Sequence, residues 1–220
     1  MKLFRFAAMA ALLILCAHPT MAADRTFDLT GMVSWVDPNS SGTFNAANPN
    51  QPFDISFNSK MGYGVAVNVF FGDHISTEFA ASEVRPEAQF RSRAAAPTSG
   101  NLGTVKMIPI TGVLQWHFAP NATIDPYIGA GAAYVLFDNL DKIRDVGNLG
   151  VRNINFKDDA GLVLNAGVGF ALSKNLALVA DGKYVPLKSS ADAVFATGPN
   201  QSQKVKINPV IFSGGLSLRF

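Results

Sequence analysis

Three side chains that could take part in acid–base or nucleophilic chemistry lie close together in the first half of the sequence. His74, Ser76 and Glu78 supply a base, a hydroxyl and a carboxylate at every second position. Because alternate residues of a β-strand point to the same face, a strand here would bring the three side chains together. Hydrolases that form a covalent intermediate use a hydroxyl activated by a neighbouring base. These residues are therefore the first candidates for a catalytic site.

Metal, cofactor and nucleic-acid sites have weaker support. The chain has three histidines, and one of them, His18, lies in the N-terminal segment discussed next. His117 could approach His74 from another strand, but two histidines do not make up the ligand sets that metal sites usually have. GAGAAY, residues 129–134, is not followed by a predicted helix, so it does not match a dinucleotide-binding loop. Since the net charge is only +2, we expect no nucleic-acid partner, and we also expect no metal ion and no cofactor.

The first residues have the pattern of a secretory signal peptide. Two basic residues precede an apolar stretch, residues 6–17, and small residues follow it. We place the cleavage site after Ala22 or Ala23, so that residues 1–22 are the signal and residues 23–220 the mature domain. The single cysteine lies inside the signal, and the mature chain can therefore form no disulfide.

Beyond the signal, apolar residues alternate with small or polar ones in eight separate segments. No apolar run reaches the roughly 18 residues that a membrane-spanning helix needs. Alternation with a period of two predicts β-strands, each with one face rich in large aliphatic and aromatic side chains. The predicted strands are 27–35, 63–71, 75–81, 108–118, 126–137, 162–172, 176–184 and 210–220.

The connections between these strands alternate in length. Short turns follow the second, fourth and sixth strands, and long segments follow the others, at about residues 38–53, 85–103, 139–158 and 189–203. This is the pattern of a bacterial outer-membrane barrel with its turns in the periplasm. Lipid offers no partner to an open sheet edge, so the sheet must close. We predict an all-β fold, an eight-stranded antiparallel transmembrane β-barrel with longer extracellular loops, in the cell outer membrane of a Gram-negative bacterium.

The placement of the apolar face separates this barrel from a soluble one. A soluble lipocalin-type barrel keeps apolar residues inside, around its ligand, and polar residues outside. Here the more polar face carries ionisable residues, and the other face displays tryptophan and phenylalanine over an area that water would not tolerate. Charged residues make up 15% of the chain, against about 25% in ordinary soluble domains. We therefore predict that the apolar face contacts lipid and that the polar face lines the lumen.

The predicted strand directions sort the lumen-facing residues by height. The lower and middle lumen receives polar and ionisable residues, namely Asp28, His74, Glu78, Gln115, His117, Asp181, Lys183 and Arg219. The upper, extracellular half receives apolar ones, namely Met32, Met107, Val135, Phe137, Val163, Val185 and Ile211. Four aromatic residues are assigned to the girdles at the membrane interfaces, Trp35, Trp116, Tyr184 and Phe220. The apolar set is either a vestibule for hydrophobic compounds or the packing that fills a small barrel.

This arrangement argues against catalysis by His74, Ser76 and Glu78. The hydrolase that such a group would suggest in an outer membrane is a lipid A deacylase, and it must reach acyl chains in the outer leaflet. These three residues instead lie beside a predicted periplasmic turn and point inward. Buried polar groups need hydrogen-bond partners, so an interior network accounts for the three residues without any reaction. We therefore predict that the protein is not an enzyme and has no catalytic residues.

Two longer stretches resemble the outer membrane protein W family. They are WHFAPNATIDPYIGAGAAYVLF, residues 116–137, and KINPVIFSGGLSLRF, residues 206–220. The resemblance extends over the mature chain, and DPY at 125–127 and NP at 208–209 are its most specific parts. Val210 stands where the family commonly has an aromatic residue. The resemblance implies an eight-stranded barrel whose narrow, partly apolar channel passes small hydrophobic compounds.

Two classes of function remain open. The first is a passive channel for small hydrophobic molecules, which we favour; the second is a structural or surface-interaction barrel with a closed lumen that acts through its loops. Lipopolysaccharide phosphates are candidate partners of the basic loop residues, although solvated loop charge explains them equally well. Those residues are Arg85, Arg91, Arg93, Lys142, Arg144, Arg152, Lys188 and Lys204. The terminal Phe220 resembles the signal that the outer-membrane insertion machinery reads, which makes this machinery a further predicted partner.

Overall fold

A computed structural model of the protein describes residues 25–45, 52–93, 99–138, 151–195 and 201–220. The predicted signal peptide and its cleavage site lie outside these ranges. Within them, no helix is long and apolar enough to span a membrane. In chain order the strands are β1 (Phe27–Asp37), β2 (Ser40–Asn45), β3 (Pro52–Phe57), β4 (Lys60–Phe70), β5 (Ile75–Val84), β6 (Glu87–Ser92), β7 (Ser99–Thr104), β8 (Met107–His117), β9 (Ile124–Phe137), β10 (Val151–Phe156), β11 (Asp159–Ala171), β12 (Leu176–Tyr184), β13 (Leu187–Phe195), β14 (Gln201–Ile207) and β15 (Val210–Arg219).

Eight of these strands close into an antiparallel barrel in the order β1-β15-β12-β11-β9-β8-β5-β4. The first strand makes the closure, because Asp28 lies opposite Arg219 on one side and opposite Asn68 on the other. The chain end extends this seam, since Phe220 N donates a hydrogen bond to Phe27 O at 2.9 Å. No strand of the barrel is left as an open edge, as an environment of hydrocarbon requires. The predicted fold class is confirmed.

Alternation along the barrel strands sorts the side chains between lipid and lumen. In β11, Leu162 and Leu164 are 71% and 57% exposed, whereas Val163 between them is 0% exposed. A continuous band of such outward-facing apolar residues is suited to contact with acyl chains. The predicted girdle residues lie on the same outer surface, each at least 40% exposed: Trp35, Trp116, Tyr184 and Phe220.

The other seven strands form a second sheet above the barrel, in the order β10-β13-β14-β2-β3-β6-β7. The segments predicted as extracellular loops do lie on this side, but where they are described they consist largely of paired strand. These strands were not predicted because most of them are only six or seven residues long and their apolar face is the opposite one. In β3, Phe53, Ile55 and Phe57 are buried, whereas Asp54 is more exposed. A sheet surrounded by water turns its apolar side chains inward.

The extracellular sheet curls around its own apolar interior. Three strands separate β3 from β10 in the sheet, yet the rings of Phe57 and Phe156 on these two strands meet with centroids 5.2 Å apart. Phe156 also contacts Phe137, at the upper end of β9, at 6.0 Å. The aromatic contacts therefore bridge the space above the barrel.

Two-residue breaks separate most barrel strands from the sheet strands that continue them. Four breaks contain a proline, at Pro38, Pro86, Pro186 and Pro209. Proline lacks the amide hydrogen that a strand ladder needs, so it ends regular pairing at this level. These prolines mark the height at which the apolar face of the chain changes from outward to inward.

Candidate functional site

A buried ion cluster crosses the middle of the lumen. Lys183 Nζ lies 2.9 Å from Glu78 Oε1 and also contacts Asp181 Oδ1. Asp181 Oδ2 accepts hydrogen bonds from Tyr127 OH at 3.0 Å and from Asn165 Nδ2 at 2.6 Å. None of these five residues is more than 7% exposed. Buried charge is tolerated here because each ionisable group has an opposite charge or a hydrogen-bond donor beside it.

The hydrogen-bond network continues from this cluster toward the periplasm. Gln115 Nε2 donates to Asn165 Oδ1 at 2.9 Å, and Gln115 Oε1 accepts from Ser76 Oγ at 3.3 Å. Ser76 Oγ lies 2.9 Å from His117 Nε2, and His117 Nδ1 lies 2.7 Å from Asp125 Oδ2. We call this connected set the polar plug, and its members are Ser76, Glu78, Gln115, His117, Asp125, Tyr127, Asn165, Asp181 and Lys183.

Two arginines lie at the periplasmic mouth below the polar plug. Arg25 Nε donates to Asp28 Oδ1 at 2.8 Å, and Arg25 Nη1 lies 3.5 Å from Asp125 Oδ2. The Arg25 guanidinium also lies 4.1 Å from the ring centroid of Phe70. Arg219 is 9% exposed, and its Nε has no hydrogen-bond partner among the described residues. Both arginines line a concavity of about 640 Å³ at the periplasmic end of the barrel.

The structure places seven of the eight predicted polar residues inside the lumen, each at most 9% exposed: Asp28, Glu78, Gln115, His117, Asp181, Lys183 and Arg219. The assignment of His74 to the lumen is wrong. His74 lies exposed in the turn before β5, where its ring stacks on Trp116 with centroids 5.3 Å apart. Strand alternation does not hold through a turn, so extending it by one residue from Ile75 put His74 on the wrong side.

Ser76, His117 and Asp125 have the hydrogen-bond order of a Ser-His-Asp catalytic triad. From the sequence, Ser76 was grouped with His74 and Glu78 instead, because alternation relates only residues of the same strand. The three residues are 0%, 1% and 1% exposed, respectively, and Ser76 does not line the periplasmic concavity or the other cavities among the described residues. A substrate carbonyl carbon therefore has no room beside Ser76 Oγ in this conformation.

Asp125 and Tyr127 are lumen residues that were not predicted from the sequence. The available signal was their position in β9, where they alternate with the outward-facing Ile124 and Ile128. Gly167 on the neighbouring strand makes room for the tyrosine, because a Cβ at that position would lie 2.4 Å from the Tyr127 hydroxyl oxygen. Glycine, which has no Cβ, is therefore required there for Tyr127 to reach Asp181.

The predicted apolar lining also points inward, but it does not surround an open vestibule. Met107, Val135, Val163, Val185 and Ile211 are at most 4% exposed, Phe137 packs against the same core, and Met32 is half-buried. This core continues upward into the extracellular sheet, where it includes Phe44 and Phe53. Of the two interpretations of the apolar set, side-chain packing describes this conformation.

A small cavity lies between the apolar core and the polar plug, next to an irregularity in the barrel wall. Strands β5 and β8 pair from Ile75–Trp116 to Ala81–Ile110, and the next pair is Val84–Met107. Pro109 lies in this interval and has no amide hydrogen to donate. The cavity beside it has a volume of about 20 Å³ and is lined by residues of the lumen and of the wall: Met32, Ser34, Ala80, Ala81, Ser82, Pro109, Thr111, Lys183, Ile211 and Ser213.

Some basic residues of the extracellular side are already paired. Arg93 Nε donates to Asp54 Oδ2 at 2.8 Å, and this hydrogen bond lowers the pKa of Asp54. By contrast, Lys204 and Lys206 line an outward-facing concavity of about 490 Å³ on β14, β2 and β3. Lys142 and Arg144 lie outside the described residues, as do the side chains of Arg152 and Lys188.

Comparisons with known proteins agree with this geometry. The family model described as "OmpW family" matches residues 26–220. Outer membrane protein W of Salmonella typhimurium is 25% identical over 169 residues, which is 76% of each chain. Outer membrane protein W of Vibrio cholerae is 28% identical over 166 residues, covering 74% of this chain and 75% of its own. The crystal structure of OprG from Pseudomonas aeruginosa has the same fold, with a TM-score of 0.75 at 21% identity over 89% of this chain and 96% of that one.

These relatives are outer-membrane proteins of Gram-negative bacteria, and the lipid-facing surface described above suits the same location. The chain therefore belongs to the OmpW family and is a protein of the outer membrane.

Proposed function

We propose that this protein is a passive channel through which small hydrophobic molecules enter the outer membrane from outside the cell. The observation that carries the proposal is the division of the interior into two zones. The interior is apolar from the extracellular sheet down to Met107 and Ile211. The polar plug lies below this apolar zone. An apolar solute is favoured in the first zone and excluded from the second.

The polar plug makes a straight route to the periplasm costly. A hydrocarbon that displaced the Lys183–Glu78 ion pair would leave buried charges without partners, at several kcal/mol. A sideways exit between β5 and β8 avoids this cost, because Pro109 has already interrupted the pairing of those strands. The proposed path therefore runs through the apolar core and leaves into the membrane beside Pro109.

Passage requires side chains to move, since the cavity at the end of the apolar core measures only about 20 Å³. Met32 and Met107 are suited to this, because methionine is unbranched and readily changes rotamer. The proposal includes no catalytic step, because Ser76 is fully buried beside His117.

The proposal is tested by uptake of labelled octane and naphthalene in a deletion strain that expresses the wild type or a variant. Val163→Asp and Met107→Asp place a charge in the apolar core and should lower uptake strongly, because desolvation of the carboxylate opposes apolar transit. Val163→Thr is a nearly isosteric second variant in case the aspartates prevent insertion. Ser56→Asp, on the exposed face of β3, adds the same charge outside the path and should leave uptake unchanged.

Pro109→Val tests the exit, because it supplies an amide hydrogen that can restore pairing with β5. We expect lower uptake, whereas Pro126→Val on the lipid-facing side of β9 should have no effect. Unchanged uptake in the Val163 and Met107 variants, with insertion verified by heat-modifiable gel mobility, would exclude the channel. The second candidate, a closed surface-interaction barrel, would then stand, and the filled interior is the observation that favours it.

We propose lipopolysaccharide as a partner of the outward face of β14. Lys204 and Lys206 line the concavity there, and the Asp54 carboxylate in the same concavity is already engaged by Arg93, so phosphate groups can approach the two lysines. Lys204→Gln with Lys206→Gln should weaken binding of purified lipopolysaccharide by about fivefold per lysine. Lys157→Gln is the matched control, because that lysine already pairs with Asp192 at 3.1 Å.

The proposed contact of Phe220 with the insertion machinery is tested by deleting this residue and measuring the inserted fraction.

A further inference from the structure

The hydroxyl of Thr111 is buried and has no hydrogen-bond partner in the part of the chain that the structure describes. Thr111 lies in β8 two residues below Pro109, faces the lumen and is 3% exposed. Its Oγ1 is among the few buried side-chain polar atoms of the described residues that make no hydrogen bond. A buried hydroxyl in this state costs free energy until a group with hydrogen-bonding capacity reaches it.

The cavity beside Thr111 has a polar side and an apolar side. Ser34 Oγ and Ser213 Oγ line it but are already bonded to each other at 2.8 Å. Lys183 also lines it, and two carboxyl groups already engage its ammonium group. Among the buried residues that line the cavity, Thr111 is therefore the one whose side chain makes no hydrogen bond, and the partly buried Ser82 supplies one further hydroxyl at the wall. Met32 and Ile211 provide the apolar side, toward the core.

The volume of this cavity limits what it can hold. About 20 Å³ accommodates one oxygen-sized group, such as a water molecule or a single hydroxyl, and no more. The position is nevertheless informative, since the cavity lies where the apolar path meets the polar plug and where the β5–β8 pairing is interrupted. A solute that follows this path would bring its leading end to Thr111.

We propose that Thr111 and this cavity form a head-group site that selects neutral amphiphiles with one hydrogen-bonding group, such as medium-chain primary alcohols, over hydrocarbons of the same length. The oxygen of the solute bonds to Thr111 Oγ1, and its chain lies against Met32 and Ile211. A carboxylate head is disfavoured, because Glu78 and Asp181 already match Lys183 and would repel it. An ammonium head is disfavoured because it would lose its hydration in this cavity, while Glu78 and Asp181 are already engaged by Lys183. The site serves a solute already inside the barrel, so it rests on the proposed function.

The test is the ratio of 1-octanol uptake to octane uptake in the deletion strain, with the uptake of empty-vector cells subtracted. Thr111→Val keeps the shape and removes the hydroxyl, so it should lower this ratio by about threefold to tenfold, the range of one net hydrogen bond. Thr111→Ser retains the hydroxyl and should stay within about twofold of the wild type. Thr30→Val is the matched control, because it removes a lumen hydroxyl that is already engaged with Ser217 at 2.9 Å.

The possible outcomes separate the head-group site from the channel itself. An unchanged ratio in Thr111→Val, with octane still taken up, overturns the site and leaves Thr111 as the partner of a water only. Absence of uptake of both solutes by the wild type overturns the channel and the selectivity with it. If Thr111→Val does not insert, the NMR signal of the Thr111 methyl group in the wild type decides the question. It should shift with 1-octanol and not with octane, and equal responses to the two overturn the site.

Discussion

Lys183 Nζ lies 2.9 Å from Glu78 Oε1 across the full width of the lumen, since three strands separate β12 from β5 in either direction around the barrel. Their side chains are 4% and 8% exposed. This ion pair ties opposite walls together and stabilises the plugged state of the lumen.

Removing the ammonium of this pair should destabilise the barrel. Lys183→Met leaves Glu78 and Asp181 buried without their cation, and we expect a loss of about 3–5 kcal/mol in the free energy of unfolding. The measurement is urea unfolding in lipid vesicles. The triple variant Lys183→Met, Glu78→Gln, Asp181→Asn should recover much of the loss, and a triple variant no more stable than the single one would contradict this account.

The register of β11 predicts opposite responses at adjacent residues. Leu164 is 57% exposed on the lipid face and Asn165 is 5% exposed in the lumen. Leu164→Arg should cost roughly 2–4 kcal/mol if it lies near the bilayer midplane. Spin labels distinguish the two positions directly. The label at 164 should be quenched by a lipid-soluble reagent, and stronger quenching at 165 would mean that the strand is displaced by one residue.

Ser76 should be chemically inert despite its contact with His117. A fluorophosphonate probe that labels activated serines should not react with the folded protein, because Ser76 is 0% exposed. Mass spectrometry of the probe-treated barrel in detergent measures this, with Ser76→Ala as the blank. Labelling at Ser76 that disappears in His117→Gln would instead identify a hydrolase.

The Asp54–Arg93 pair on the extracellular sheet predicts a small dependence of stability on pH. The hydrogen bond from Arg93 keeps the pKa of Asp54 below its ordinary value of 3.8. A carboxyl whose pKa is lowered in the folded state stabilises that state above its unfolded pKa, and this contribution is lost as the pH falls through the folded pKa. The effect is small because the pair is exposed to solvent. NMR titration should give a higher pKa for Asp54 in Arg93→Met, and an unchanged value would show that the pair does not form in solution.

The sequence by itself determined which face of each barrel strand meets lipid. In the extracellular sheet the apolar face of each strand points inward instead of outward, as Phe53 and Ile55 in β3 illustrate. The prolines at the breaks lie where this orientation changes. Because period-two alternation follows from backbone geometry alone, it placed Asp28, Gln115 and Lys183 in the lumen without knowledge of their partners. Alternation also predicted the eight strands of the barrel. Because hydrocarbon offers no hydrogen-bond partners to the edge strands of a sheet, these strands must pair and close the barrel.

Only the tertiary structure decided which lumen residues meet. Alternation gives the side on which a residue lies but not its height relative to residues of other strands. That height depends on the stagger of eight strands around the barrel. The contacts of Lys183 with Glu78 and of Ser76 with His117 therefore could not be predicted from the sequence, and neither could the continuation of the apolar core from the upper lumen into the extracellular sheet. The prediction that His74 faces the lumen was wrong for a related reason. Alternation holds only within a strand, and His74 lies in the turn before β5.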